Sequence, residues 1–390
     1  MSYEHDANHP LTTAFPYFPA EEREWLQHEL AEILVAQLAM GPRVREFEQQ
    51  FAGYCGSKYA VAFPSCTSSM EAALTAFGVG PGDEVLVPVE TFIATGMAVH
   101  LVGARPIFTE ISAATFSMDF NDAWSRVTDK TRGAIVVHFG GFISPDLPEF
   151  VERMRNRGRF VIEDAAHSPG AVLNNCRAGS IGDAGCFSFY PTKIMTTGEG
   201  GMLVTDREDI AARVRSLQHR GRDMEKADEQ YLVPGRNNRF TEIAAAMGIS
   251  QLRCLPQFLE QRRRVAAIYD EVLLASEMFV PLLAENGSLP SYWRYVATPT
   301  VAIDRQALRD RMAADRITID WAYDPPLHLQ PVFRNLYGNA PGMLPISEAI
   351  LSRHICLPVH ARMREEDAAF VADRLLYHTR GLSKAAGQSS

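Results

Sequence analysis

Apolar residues along this chain gather in short unbroken runs separated by stretches with helical spacing. Tyr59-Ala-Val-Ala-Phe63 is the first run, followed by Glu84-Val-Leu-Val-Pro88, Pro106-Ile-Phe-Thr109, Gly133–Phe139 and Arg159-Phe-Val-Ile-Glu163. Gly185–Tyr190 and Gly201–Thr205 come next at close spacing. A strand with one wet face alternates polar and apolar residues, whereas a strand apolar throughout is covered on both faces. Helical patterns lie between the runs, at Ser69–Phe77 and Ile93–Val102. This alternation predicts an α/β architecture around a largely parallel sheet. Ahead of it, Trp25, Leu26, Leu30, Ile33, Leu34 and Leu38 space as an amphipathic helix from Pro19, ended by Gly41-Pro42.

From about Pro290 the pattern changes. Tyr292–Val301 alternates like a half-exposed strand, and 305–313, 347–355 and 365–376 have helical spacing. The predicted division is a loose leader at 1–12, a large domain at 13–285, a smaller α+β domain at 286–378 and a disordered tail at 379–390.

Composition narrows the function classes. With 390 residues, 46% hydrophobic and 22% charged, the chain is globular rather than disordered. A net charge of −9 argues against nucleic acid as a partner. The six cysteines form no C-x-x-C pair and no zinc spacing, so no metal is expected. Their isolation suits a reducing compartment, and neither a signal-peptide core nor a membrane-length apolar run occurs. A cytoplasmic protein without membrane attachment is the expectation. Lys58, Lys130, Lys193, Lys226 and Lys384 are the chain's only lysines, against 33 arginines, so a retained lysine draws attention to its amine.

In α/β sheets, ligands bind outside the carboxyl ends of the strands. Four fragments fall there. Ser65-Cys66-Thr67-Ser68 follows the first run and opens a helix, where free N–H groups and the helix dipole favour an anion. Thr91-Phe92 supplies an aromatic ring, and Glu163-Asp164-Ala165-Ala166-His167 supplies carboxylates and an imidazole. Cys186-Phe-Ser188-Phe-Tyr-Pro-Thr-Lys193 delivers an amine, with a glycine loop at 198–201 that lets backbone approach a ligand. Singly, the first three read rather as a capping turn, a core ring and a helix N-cap, and the lysine equally as a surface residue. Together they match what pyridoxal 5'-phosphate (PLP) needs: a phosphate cup, a stacking ring, an acid for the pyridine nitrogen and a lysine nucleophile.

These fragments, with Gly82-Asp83-Glu84-Val85, Gly235-Arg-Asn237-Asn-Arg239, Glu242-Ile243 and Leu327-His328-Leu-Gln-Pro331, resemble the DegT/DnrJ/StrS sugar aminotransferases over about residues 15–378. The resemblance implies a three-layer PLP-transferase fold of type I, with a mostly parallel central sheet and a smaller C-terminal domain. It implies that Lys193 is the Schiff-base lysine, Asp164 the pyridinium partner and His167 the neighbour of the phenolic oxygen. Cys66, Thr67 and Ser188 become phosphate-cup residues and Phe92 the stacking ring. Asn237 reaches across a homodimer interface to the partner's phosphate, so shared active sites follow. Arg239 and His328 are substrate candidates. Arg220, Arg222, Arg236 and Arg294 are weaker candidates for a nucleotide phosphate, and His138 and His360 for the entrance.

The chain departs from the family pattern at Cys66, where glycine is commoner, at Glu90, where a small hydroxyl residue is usual, and at Phe139-Gly140-Gly141. The implied reaction moves an amino group from an amino acid, L-glutamate, to a keto-sugar, nucleotide-linked. Lys193 argues against the family's dehydratases, which carry histidine there. A PLP-dependent dehydratase or lyase, or a non-catalytic PLP-binding regulator, is the alternative.

Overall fold

The computed structural model describes residues 11–387 apart from 225, 227, 229 and 286. The chain runs α1 (Ala20–Leu34), α2 (Pro42–Cys55), β1 (Tyr59–Phe63), α3 (Cys66–Ala76), β2 (Glu84–Pro88), α4 (Ile93–Leu101), β3 (Arg105–Thr109), α5 (Phe120–Ser125) and β4 (Thr131–Val137). It continues through α6 (Leu147–Arg155), β5 (Phe160–Asp164), β6 (Val172–Leu173), β7 (Cys176–Arg177), β8 (Ala184–Ser188), β9 (Gly201–Thr205), α7 (Glu208–Gln218) and α8 (Glu242–Ser276). The remainder is β10 (Phe279–Pro281), β11 (Ser288–Leu289), β12 (Tyr295–Pro299), α9 (Arg305–Ala314), α10 (Pro331–Tyr337), α11 (Pro345–Leu351), β13 (Ile355–Leu357) and α12 (Glu365–Gly387).

All seven apolar runs become strands of one sheet, ordered β1-β9-β8-β5-β4-β2-β3. Six point the same way, and β9 runs against both β1 and β8. Alternating side chains divide the core in two. Val61 and Phe63 of β1 pack with Met70 of α3, Val99 of α4 and Val214 of α7. Ala60 and Ala62 pack with Phe47 and Phe51 of α2, Phe150 of α6 and Ile249 of α8. The result is three layers, helix on sheet on helix, with the strands dry on both faces.

Several expectations change. Gly41-Pro42 does not end the first helix; α1 has finished at Leu34, and these residues begin α2. The Glu242 carboxylate caps that start by accepting from Gly41 N (2.8 Å), Arg43 N (2.9 Å) and Val44 N (3.1 Å). A Cβ on Gly41 would sit 2.8 Å from that carboxylate, which is why glycine is needed there. Residues 242–276, to which the pattern assigns no element, form the 35-residue α8, about 52 Å long at the usual rise.

β10, β12 and β13 make a separate antiparallel sheet. It starts at Phe279, ahead of the expected boundary at 286, and β11 pairs back to β6. β12 is buried except at Thr298, not half-exposed, because α8 and α12 cover it. The helix expected at 347–355 stops at Leu351, and Ile355 belongs to β13. α12 continues to Gly387, so residues 379–387 of the expected loose tail are helical; 388–390 lie outside the described residues. Of the leader, 1–10 lie outside them too, and Leu11 is buried with its carbonyl accepting from Thr318 N. Among the described residues no helix is long and apolar enough to cross a membrane.

Candidate active site

Strand register assembles the site. Asp164 on β5 stands opposite Cys186 on β8; Ser188 on β8 stands opposite Gly201 on β9; and Gly201 stands opposite Phe63, the last residue of β1. The carboxylate, the Ser188 hydroxyl and the Ser65–Ser68 turn therefore meet at one sheet edge. The glycine loop serves this packing. A Cβ on Gly201 would sit 2.5 Å from Cys66 N, so the close approach is to the start of α3, and Gly198 takes a left-handed φ of 81°.

Ser65 caps α3, its Oγ accepting from Ser68 N at 3.1 Å. The Cys66 and Thr67 N–H groups precede the helix's own hydrogen bonds, so they open toward the cavity end of the helix. Ser188 Oγ accepts from Tyr190 N at 3.4 Å and lines the same cavity.

Glu163 and Asp164 face opposite layers. Asp164 is buried beside α3 and α4; its Oδ2 accepts from Thr95 Oγ1 at 2.7 Å and its Oδ1 from Ala166 N at 3.2 Å. Thr91 Oγ1 extends the chain to Thr95 at 2.7 Å. Burial pushes the Asp164 carboxyl up, while the Thr95 hydroxyl, the Ala166 N–H and Lys193 pull it down. Glu163 accepts from Gly179 N, Ile181 N and Gly182 N at 2.6–2.8 Å and meets His138 Nε2 at 2.7 Å.

The loop after β8 puts Lys193 at the mouth of a cavity of about 520 Å³ shared with Cys66, Thr67, Phe92, Asp164, His167 and Ser188. Burial lowers the Lys193 amine to about 8, against the opposing pull of Asp164 and Cys66 and with some help from the Arg294 charge. Its Nζ lies 4.6 Å from the centroid of the Trp293 ring. The His167 ring lies flat on the same indole, centroids 3.6 Å apart and planes 7° apart, and its Nε2 meets Tyr323 Oη at 2.8 Å. Burial holds His167 neutral and Tyr323 un-ionised. Phe92, at the start of α4, is 59% exposed at the rim.

The remaining candidates lie outside this cavity. Asn237 is exposed, bridging to His219, and Arg239 Nη1 is 3.4 Å from His219 Nδ1. His328 is buried with its Nε2 3.1 Å from Glu348. His138 is committed to Glu163, and His360 accepts from Arg362 N. Arg294 is buried, donating to the carbonyls of Thr13 and Trp293, and Arg236 meets Glu71 at 3.2 Å.

Sequence reasoning assigned no role to Thr95, Trp293 or Tyr323. Thr95 carried a signal, since it lies one helical turn after Thr91 at a strand end. Trp293 and Tyr323 lie a hundred or more residues from Lys193 and His167 and carried none.

The residues present fit PLP. An acid and an amine converge on one cavity, a helix N-terminus with two spare N–H groups opens into it, and an aromatic ring stands at its rim. His167 Nδ1 is buried in the cavity wall without a hydrogen-bond partner among the described residues, a group left for a ligand.

The comparisons agree. Residues 20–376 match the sequence model of the DegT/DnrJ/EryC1/StrS aminotransferase family. GDP-perosamine synthase of Caulobacter vibrioides is 34% identical over 92% of this chain and 95% of its own. The UDP-N-acetyl-3-dehydro-alpha-D-glucosamine 3-aminotransferase of Acidithiobacillus ferrooxidans is 32% identical over 86% of this chain and 89% of its own. The structure of S. venezuelae DesV in complex with a ketimine intermediate superposes with a TM-score of 0.85 at 28% identity, over 93% of this chain and 98% of that one. Fold, cavity and sequence match coincide over nearly the whole length: this chain belongs to the DegT/DnrJ/EryC1/StrS aminotransferase family and is a transaminase.

Proposed function

We propose that this transaminase moves an amino group from L-glutamate to the ketone of a nucleotide-linked sugar, using PLP. The observation that carries the reading is the convergence of Lys193, its amine near neutrality, with buried Asp164 in one cavity. When bound, PLP supplies an electron sink that stabilises negative charge on the carbon next to the transferred nitrogen.

The chain's own groups divide the remaining tasks. Asp164, held in place by Thr95 and Ala166, would face the ring nitrogen and keep it protonated. Lys193 would hold the cofactor and serve as the base for the proton of the donor's α-carbon; an amine with a value of about 8 is partly unprotonated at working pH, as a general base must be. Neutral His167 presents Nδ1 to the phenolic oxygen. The N–H groups of Cys66 and Thr67, with Ser188, receive the phosphate at the start of α3. Phe92, at the rim, would cover one face of the ring.

Asn237 and Arg239 lie on an exposed segment outside their own cavity, which suits a homodimer in which they complete the partner's site. The relatives whose names carry a GDP-linked and a UDP-linked sugar support a nucleotide on the acceptor. A cytoplasmic location follows from such soluble substrates.

Incubation with L-glutamate and a panel of keto-sugar nucleotides tests the reading. Amino transfer releases one 2-oxoglutarate per amino sugar formed. A dehydratase, a lyase or a PLP-binding regulator releases none, and that outcome with every acceptor overturns the proposal.

A further inference from the structure

The cavity wall includes a large side chain, Trp293, that the proposed chemistry leaves without a task. Trp293 is 5% exposed, and its indole makes three directed contacts. Nε1 donates to the carbonyl of Thr192 at 2.9 Å, which fixes the backbone one residue before the reactive lysine. The ring lies 4.6 Å from Lys193 Nζ, and the His167 imidazole is stacked on it at 3.6 Å. The Arg294 guanidinium also sits 4.1 Å from the ring centroid, tied to the Thr13 and Trp293 carbonyls and 3.4 Å from Asp320.

A lysine carries four rotatable bonds, and an amine that must reach one carbon loses reactivity if it wanders. Hydrogen bonds do not hold this amine, because no side-chain acceptor within bonding distance of Nζ is found among the described residues. An aromatic face is the other way to hold an ammonium, by attraction to the ring's negative quadrupole, and it strengthens where water is excluded. The charged and titratable groups facing Nζ are Asp164 from the end of β5, Cys66 from the start of α3, Arg294 ahead of β12 and His167 after β5. Asp164 attracts the ammonium and Arg294 repels it, leaving the indole face to set its place between them.

We propose that Trp293 is a positioning residue for the reactive amine: its N–H anchors the chain at Thr192 while its ring face holds the Lys193 ammonium beside the His167 stack. This rests on Lys193 being the amine that reacts.

Competitive acylation of the apoenzyme tests it without cofactor or turnover. A trace of acetic anhydride is applied across neutral to alkaline pH, and the Lys193 peptide is quantified by mass spectrometry against Lys58, Lys130 and Lys226 as internal references. Trp293→Met keeps bulk but removes the ring face, so the Lys193 midpoint should fall, with the ammonium-to-amine ratio dropping about fivefold. Trp293→Phe keeps a weaker face and should give a smaller fall of about twofold in the same direction. A fall in either variant, graded in that order where both fold, supports the proposal. A midpoint unchanged in the variants that fold, whatever happens to the melting temperature, overturns it and reduces Trp293 to packing. Failure of the broader reading is distinct, because it shows as absent 2-oxoglutarate in the unmodified enzyme.

Discussion

Glu163 and Asp164 are adjacent on β5, equally buried and chemically alike, yet the two sides of the sheet treat them differently. Glu163 faces the layer of α2, α6 and α8, where three backbone N–H groups of the 179–182 turn and the His138 ring saturate its oxygens. Asp164 faces the layer of α3 and α4, where the Thr95 hydroxyl, the Ala166 N–H and, at 4.0 Å, the Cys66 thiol reach it and the rest of its capacity opens on the cavity. A carboxylate whose acceptors are all filled holds structure together, whereas one with spare capacity next to a void is available for a ligand. Glu90, two residues past the end of β2 and fully buried, is a third case: apart from its own backbone N–H neither oxygen finds a donor among the described residues, and burial pushes it well above the ordinary range.

The largest effect is expected at the amine on the open side. Lys193→Arg keeps a cation but cannot make the imine, so the visible band on adding PLP should vanish and amino transfer should fall below detection; a yellow, active variant breaks the assignment. Next comes the contrast between the two carboxylates. Asp164→Asn should lower turnover roughly 10²-fold or more while leaving unfolding little changed, as loss of one preorganised charge does. Glu163→Gln should do the reverse, costing about 3 kcal/mol in urea unfolding because buried donors lose their partner, with turnover of the folded fraction much less affected. Should Glu163→Gln be the catalytic defect and Asp164→Asn the stability defect, the division of β5 into a structural and a chemical face is wrong.

The smallest effect is at Glu90. Its carboxyl is pushed up, by burial first and by Asp164 second. The unfolded chain ionises it near the ordinary glutamate value while the folded chain keeps it protonated. Its contribution to stability is therefore complete below that ordinary value and is lost as pH rises toward the folded value. Glu90→Gln removes this dependence, so the variant should gain on the parent by up to about 1 kcal/mol per pH unit above the ordinary glutamate range. Urea midpoints at several pH values measure the gap, and a gap that stays flat with pH would mean Glu90 is ionised in the folded protein.

Much of the fold was legible in the chain because the central strands are dry on both sides. Tyr59–Phe63, Glu84–Pro88 and Gly201–Thr205 appear in the structure with the boundaries their apolar runs predict. The direction of β9 was not legible, since an apolar run is the same read either way and its antiparallel course is set by pairing with β1 and β8. Nor was α8: it is wedged between the sheet and other helices, is buried on several sides and contains Pro256, so it shows no single apolar stripe. That Lys193, Asp164, His167, Ser188 and the Cys66–Thr67 turn would share one edge of the sheet was legible because each ends or follows a strand. Arg294 looked available for a phosphate until the fold committed it to two carbonyls and the Trp293 ring.

By itself the sequence determined which segments are strands and which reactive groups stand at their ends, because burial periodicity and strand-end position are local properties of the chain. Tertiary structure alone decided that Glu163 is saturated and Asp164 open, that Thr95 supports the acid, and that an indole from just ahead of β12 lies against the amine. Hydrogen-bond partners and ring faces come from residues distant in the chain, and no local pattern records which of them will arrive.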